Sequence, residues 1–216
     1  MSVPEKPMVL HLNFRSHTGI LNLARAVLDI LFLLFPGAAS KLPPDEGLYK
    51  GPRPALLQEP EDRLLTLPSQ NDGLMLLTHD HAREWLEGLC GSQRVVLGIR
   101  EAKGLEFPEV VIVDFFSSLD RSDQLQWKHM LSIDDQARTP DVSLRHKFPE
   151  LETQLKLLYT AITRAERSLY MIETKRSVAG SAFFAFVQAR AWRRRRLWVV
   201  FFMEGLAVLY MYVTCM

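Results

Sequence analysis

Gly98-Ile-Arg-Glu-Ala-Lys-Gly-Leu-Glu-Phe-Pro-Glu-Val-Val-Ile-Val-Asp-Phe115 is the stretch on which the reading of this chain turns. Its second half, Glu109 to Phe115, is a continuous run of β-branched residues closed by an acid and an aromatic. An unbroken apolar run, rather than an alternating one, reads as a strand buried on both faces. Its first half carries two glycines and four charges immediately before that strand. Charged side chains and a conformationally free glycine at a strand end are where chemistry is expected.

Working outward, Arg94–Ile99 and Gly73–Thr78 read as two further buried strands, Ser168–Ile172 as a last one and Ala55–Leu57 as a short one. His81–Leu89 reads as a helix ending near Gly91. Gln154–Arg164 reads as another, with Leu155, Leu158, Tyr159 and Ile162 at helical spacing. Upstream, Ile20, Leu23, Ala24, Val27, Leu28 and Leu31 predict a helix from Gly19 to about Phe35. Thr18 would cap it and Pro36-Gly37 would stop it. Buried strands alternating with helices imply an α/β fold: a parallel sheet with helices on both faces. In such sheets ligands sit beyond the carboxyl ends of strands. Pro36–Asp72 is rich in proline and glycine and reads as loop. Ser117–Glu150 is polar and mixed in charge, with Trp127, Pro140 and Pro149, and reads as an insertion or surface loop.

The 216 residues suit one domain with an appendage, and 48% apolar content suffices for a core. A net charge of +1 gives no broad basic field, so nucleic acid would need a local patch. Two distant cysteines, Cys90 and Cys215, make neither a disulfide framework nor a thiolate zinc site. The N-terminus lacks the apolar segment of a secretory signal. An intracellular setting, nuclear or cytoplasmic, is expected. The end of the chain differs: Arg193–Arg196 precedes an apolar run, Leu197–Val213, interrupted by Glu204. Three readings stand for residues 191–216: a buried helix, a marginal membrane anchor, or sequence foreign to the domain. The run is short for a span, and a central carboxylate costs roughly 2.5–3.5 kcal/mol on insertion scales.

Three short stretches carry a resemblance: Leu10-His-Leu-Asn-Phe-Arg-Ser16, Gly98–Phe107, and Leu157-Leu-Tyr-Thr-Ala-Ile-Thr-Arg-Ala165. In order, they resemble motifs IV, V and VI of the UvrD/Rep/PcrA-like superfamily 1 helicases, which read Q-N-Y-R-S, T-x-H-x-x-K-G-L-E-F and L-x-Y-V-A-x-T-R-A. The resemblance covers most of residues 8 to 190. It looks closest to the motor region of large animal proteins carrying tetratricopeptide and ankyrin repeats. It implies a RecA-like second motor domain over residues 1–190, with a reduced insertion at 36–72 and a polar one at 117–150.

The resemblance implies that Arg15 and Arg164 contact the γ-phosphate of ATP. A planar, permanently charged guanidinium suits the charge that builds on phosphoryl oxygens. Without the resemblance each is a surface or salt-bridged arginine. Phe14 takes the place of an aromatic that stacks on adenine, or is a core phenylalanine. Glu106 matches the carboxylate that hydrogen-bonds the ribose, or is a solvated strand-end acid. Gly104 permits close backbone approach or positive φ. Lys103 could pair with a phosphate or with Glu106. Arg100 stands where the family has a histidine facing the nucleic-acid strand. It could contact a phosphate, or mark the loss of that contact. Leu12 and Gly98 replace the family glutamine and threonine. His79-Asp80-His81 reads as a helix cap at Asp80 rather than a metal site.

No G-x-x-x-x-G-K-[ST] stretch occurs in these residues. The phosphate loop and the Mg2+ ligands are therefore expected in a first RecA-like domain, supplied in cis or in trans. Alone, the chain is expected to be inactive as an ATPase. The rival expectation is a non-catalytic scaffold or regulatory module, tethered to a membrane if the tail is an anchor.

Overall fold

A computed structural model describes residues 12–39, 45–61, 64, 74–132, 148–190, 202–203 and 206–207. Its centre is the predicted strand, β6 (Phe107–Val113). β7 (Ala165–Glu173) flanks it on one side and β4 (Leu74–Thr78) on the other. β5 (Val95–Gly98) lies beyond β4, and β3 (Ala55–Gln58) lies beyond β7. The order is β3-β7-β6-β4-β5, with every pairing parallel. One row across the sheet reads Leu56, Met171, Ile112, Leu77 and Leu97.

Alternation along β6 sends its side chains to two different cores. Val110 and Ile112 pack with residues of α1 (Thr18–Leu34), α4 (Pro149–Ile162) and α5 (Val178–Arg190). Val111 and Val113 pack with Leu86 and Cys90 of α2 (Arg83–Cys90), and with Leu76, Val96 and Ile172. Helices cover both faces, as the uninterrupted apolar strands required. The α/β class expected from the sequence, a parallel sheet with helices on both faces, is the fold.

The first helix is capped differently from expectation. Its N-cap is His17, whose ring Nδ1 accepts from the Gly19 N–H at 3.0 Å and the Ile20 N–H at 3.4 Å. The Thr18 hydroxyl instead donates to the Tyr49 carbonyl at 3.1 Å. A buried imidazole with its lone pair on the orphan donors does the work of a short polar cap.

The segment 117–150 needs a larger correction. It contains α3 (Arg121–Ser132), and Trp127 and Met130 are buried in the main core. Trp127 Nε1 donates to Gln154 Oε1 at 2.5 Å, and Gln154 Nε2 donates to Asp123 Oδ2 at 2.6 Å. Polar residues on its outer side hid an amphipathic helix whose inward face rests on two side chains. Residues 133–147 lie outside the described residues. α5 was not anticipated either. Its inward Ala179, Phe183, Phe186 and Val187 pack on α3, and Phe116, Trp127 and Phe183 form an aromatic cluster.

Between α1 and β3 the chain forms β2 (Glu46–Gly47), which pairs in parallel with β1 (Leu12–Asn13). The readings of 191–216 fall almost wholly outside the described residues. Only Phe202–Met203 and Leu206–Ala207 are described there, as an antiparallel pair. Among the described residues no helix is long and apolar enough to cross a membrane.

Candidate functional site

Three of the matched residues converge. Arg15 Nε forms an ion pair with Glu106 Oε2, each side chain about half exposed. Arg164 lies beside them: burial lowers its pKa first, the like charge of Arg15 lowers it further, and Glu106 opposes both. Arg164 is held by three bonds from its guanidinium. Nε donates to the Thr160 carbonyl at 3.0 Å, one terminal nitrogen to the Leu105 carbonyl at 2.8 Å, and the other to Thr163 Oγ1 at 3.1 Å.

The chain builds this cluster from three ends. Asn13 Oδ1 accepts from the N–H groups of Arg15 and Ser16, both at 2.9 Å, which folds residues 13–16 into an Asx turn. That turn is laced to the start of β7. Ser16 Oγ donates to the Ala165 carbonyl at 2.7 Å, and His17 Nε2–H donates to the Arg167 carbonyl at 2.9 Å. Because Nδ1 is the cap acceptor, Nε2 must be the protonated nitrogen. The Phe107 N–H donates to the Arg164 carbonyl at 2.9 Å, so Glu106 and Arg164 stand at the neighbouring starts of β6 and β7.

The cluster therefore lies at the amino ends of the strands, opposite to the edge that the general rule for α/β sheets indicates. The cause is local. α4 delivers Arg164 just ahead of β7. Residues 99–106 run back from the carboxyl end of β5, level with Thr78, to the amino end of β6, delivering Glu106 there.

The remaining matched residues divide. Phe14 is 77% exposed and is not a core phenylalanine. Leu12, Leu48, Tyr49 and Leu105 are exposed large apolar residues on the same segments. Gly104 has φ +89° with open space where a Cβ would stand, so it serves backbone conformation rather than close approach. Lys103 is exposed and does not hold Glu106, whose partner is Arg15. Arg100 belongs to the other end of the sheet. Its guanidinium donates to Asp80 Oδ2 at 2.7 Å and its backbone N–H to Asp80 Oδ1 at 3.3 Å.

Asp80 is thus not a helix cap but the counter-ion of Arg100. A Cβ at Gly98 would collide with that carboxylate. The two departures within the second matched stretch, Gly98 and Arg100, form one unit: the glycine makes room for the acid that binds the arginine. Glu101 completes the turn. It accepts from the Gly98 N–H at 2.9 Å, and both its oxygens accept from one terminal nitrogen of Arg83, at 2.5 and 2.7 Å.

Sequence reasoning missed a second polar cluster at the carboxyl ends of β4, β6 and β7. Glu173 is buried and accepts from the N–H groups of Phe116 at 3.0 Å and Ser117 at 2.7 Å. Burial pushes its carboxyl up to about 7 against those hydrogen bonds, and Asp114 adds to the rise. Asp114, at φ +51°, accepts from Ser117 Oγ at 2.8 Å and from the N–H and hydroxyl of Thr174, both at 2.6 Å. On the other side His79 Nε2 bonds the Phe115 carbonyl at 3.0 Å. Burial pulls this imidazole down to about 4, the Phe115 carbonyl opposing. The sequence signal was present: an acid ends each of two apolar runs. Among the described residues no three His, Cys, Asp or Glu side chains converge to hold a metal ion.

No family model matches the chain. Over 219 residues it is 32% identical to the human TPR and ankyrin repeat-containing protein 1, a match covering 86% of this chain and 7% of that protein. A solved structure of the C-terminal domain of a possible DNA helicase from Lactobacillus plantarum is similar at a TM-score of 0.47 and 15% identity, covering 81% of this chain and 96% of that one. The chain is thus similar to a small part of a much longer protein, and spans about 7% of its length.

Proposed function

We propose that this domain is the second half of an ATP-driven motor acting on nucleic acid. In this reading it completes a nucleotide site whose phosphate loop and Mg2+ ligands belong to a first RecA-like domain. The observation that carries the reading is the convergence of Arg15, Glu106 and Arg164 from three distant segments. Two guanidinia with one carboxylate between them leave a net positive charge at an exposed edge, bordered by the exposed ring of Phe14. The residues fit the group. Arg15 and Arg164 would hold the terminal phosphate, Glu106 the ribose hydroxyls and Phe14 the base. Gly104 would shape the turn that presents Glu106. Bound ATP with Mg2+ supplies the phosphoryl group. What this chain contributes is positive charge aimed at its oxygens, pre-positioned by the Thr160 and Leu105 carbonyls.

The test is the ATPase rate of a longer protein that carries this domain together with a phosphate-loop domain. Arg164→Ala should lower the rate about 10³–10⁵-fold with modest change in stability. An unchanged rate would remove the assigned role.

A second reading has its own support. Arg100, which stands where the resembled family has its strand-facing histidine, is paired with Asp80. A domain that binds nucleotide without gripping a strand would act as a regulatory or scaffold module. Lys103 is then the remaining exposed cation of the matched turn.

A further inference from the structure

One imidazole sits where four segments meet. The His17 side chain is buried, at 1% exposure. Its slot exists because Gly51 has no side chain: a Cβ there would overlap the ring. Tyr49 packs against it at a tilt, the ring centres 5.6 Å apart. Within that slot the two ring nitrogens do different things. Nδ1 accepts from the first N–H groups of α1, and Nε2–H reaches across to the Arg167 carbonyl. That reach bears on Arg15, two residues away. Ser16 and His17 bond alternate carbonyls of β7, Ala165 and Arg167, ahead of Tyr170 where β3 begins to pair. The Ser16 bond alone fixes a point about which the turn can pivot. A second bond, two residues further along the strand, fixes its direction. Arg164 immediately precedes the bonded stretch of β7 and lies beside Arg15, so the same two bonds set how the two arginines stand to each other.

We propose, resting on the nucleotide-site reading above, that His17 is a positioning residue: Nε2 holds the Arg15 turn in register with Arg164, while Nδ1 only starts the helix. The two roles belong to two atoms and can be removed separately. A cap needs an acceptor close to the backbone, which short polar side chains supply. The strut needs a donor at the far side of the ring. His17→Asn keeps an acceptor near the Nδ1 position and has nothing at the Nε2 position. His17→Gln does the reverse, carrying an amide N–H out to the reach of Nε2 and offering no acceptor at the cap.

Turnover is read in the longer protein that joins this domain to a phosphate-loop domain, and stability in thermal melts of this chain. His17→Asn should lower kcat at least about tenfold with KM little changed, since misplacing a reacting group by about 1 Å can cost on the order of 10²-fold. Its affinity for ADP, which lacks the terminal phosphate, should stay within about twofold of the parent. His17→Gln should keep kcat within about threefold of the parent and yet melt below His17→Asn, because losing the cap is a stability effect. Turnover then follows the strut and melting temperature follows the cap. Undiminished kcat in His17→Asn overturns the proposal, and so does turnover that tracks melting temperature across the two variants, since His17 would then be a structural cap. A loss of ADP affinity as large as the loss of kcat overturns it too, because the site would be disrupted as a whole. Arg164→Ala in the same protein separates the two ideas. If it leaves turnover unchanged, or if the parent has no ATPase activity, the nucleotide-site reading falls and takes this proposal with it.

Discussion

Two buried ionisable groups clamp the same turn after β6, and their acid–base behaviour has opposite signs. His79, lowered from 6.5 to about 4, binds its proton more weakly in the folded chain than in the unfolded one. Its contribution to stability is present above 6.5 and lost as pH falls through 4. Glu173, raised from 4.5 to about 7, holds its proton more tightly when folded. Its contribution is present below 4.5 and lost as pH rises through 7. Each shift spans 2.5 pH units (6.5 − 4 and 7 − 4.5). At about 1.4 kcal/mol per unit, each is worth on the order of 3 kcal/mol. Between pH 4.5 and 6.5 the two slopes cancel, so the pair leaves stability nearly flat. Replacing one should uncover the other. His79→Gln removes the titrating ring and keeps a donor for the Phe115 carbonyl. Relative to the parent chain it should gain about 2–3 kcal/mol as pH falls across that window. Glu173→Gln should lose a similar amount. Urea denaturation followed by fluorescence of the buried Trp127 measures this, and the variant-minus-parent difference removes every group that titrates alike in both. His81, Asp80 and Arg100 face His79, and Asp114 faces Glu173, in all these proteins except where substituted. A difference that stays constant across the window, to within about 0.5 kcal/mol, would refute the reasoning.

Two further outcomes follow from particular glycines and charges. Gly104→Ala should destabilise the chain by about 1–2 kcal/mol, because an L residue at φ +89° is strained even in open space. Gly88→Ala in α2, equally open but helical, should be neutral or stabilising by up to about 1 kcal/mol, and the same denaturation assay reads both. Asp80→Asn releases Arg100 from its counter-ion. If the domain meets nucleic acid there, affinity for a single strand should rise and the slope of log K against log salt should steepen by about 0.7. No binding by either protein would favour the scaffold reading.

The sheet was legible because its strands are uninterrupted apolar runs, and burial on both faces leaves that signature. Helices with a broad apolar face were legible too. α3 was not, since two inward residues, Trp127 and Met130, sit among polar ones and the period is faint. α5 escaped for the opposite reason. Its alanines, glycine and phenylalanines are apolar on several sides, so no face stands out. At the candidate site, a residue-by-residue match identified Arg15, Glu106 and Arg164 without revealing that two of them bind each other. Pairings between side chains far apart in sequence are set by tertiary packing, here by Ser16 and His17 on β7. Asp80 escaped for the same reason: its partner lies 20 residues on, across the β4–β5 edge.

β7 begins beside Arg164 and ends in the buried carboxylate of Glu173. Nine residues of strand span roughly 26 Å. β6 pairs with it from Ala165 to Ile172, and β3 pairs with its last four residues, Tyr170–Glu173. The strand joins the segment that Ser16 and His17 bond at its first carbonyls to the buried Glu173 at its far end, so the arginine cluster and the buried acid cluster share one continuous length of backbone.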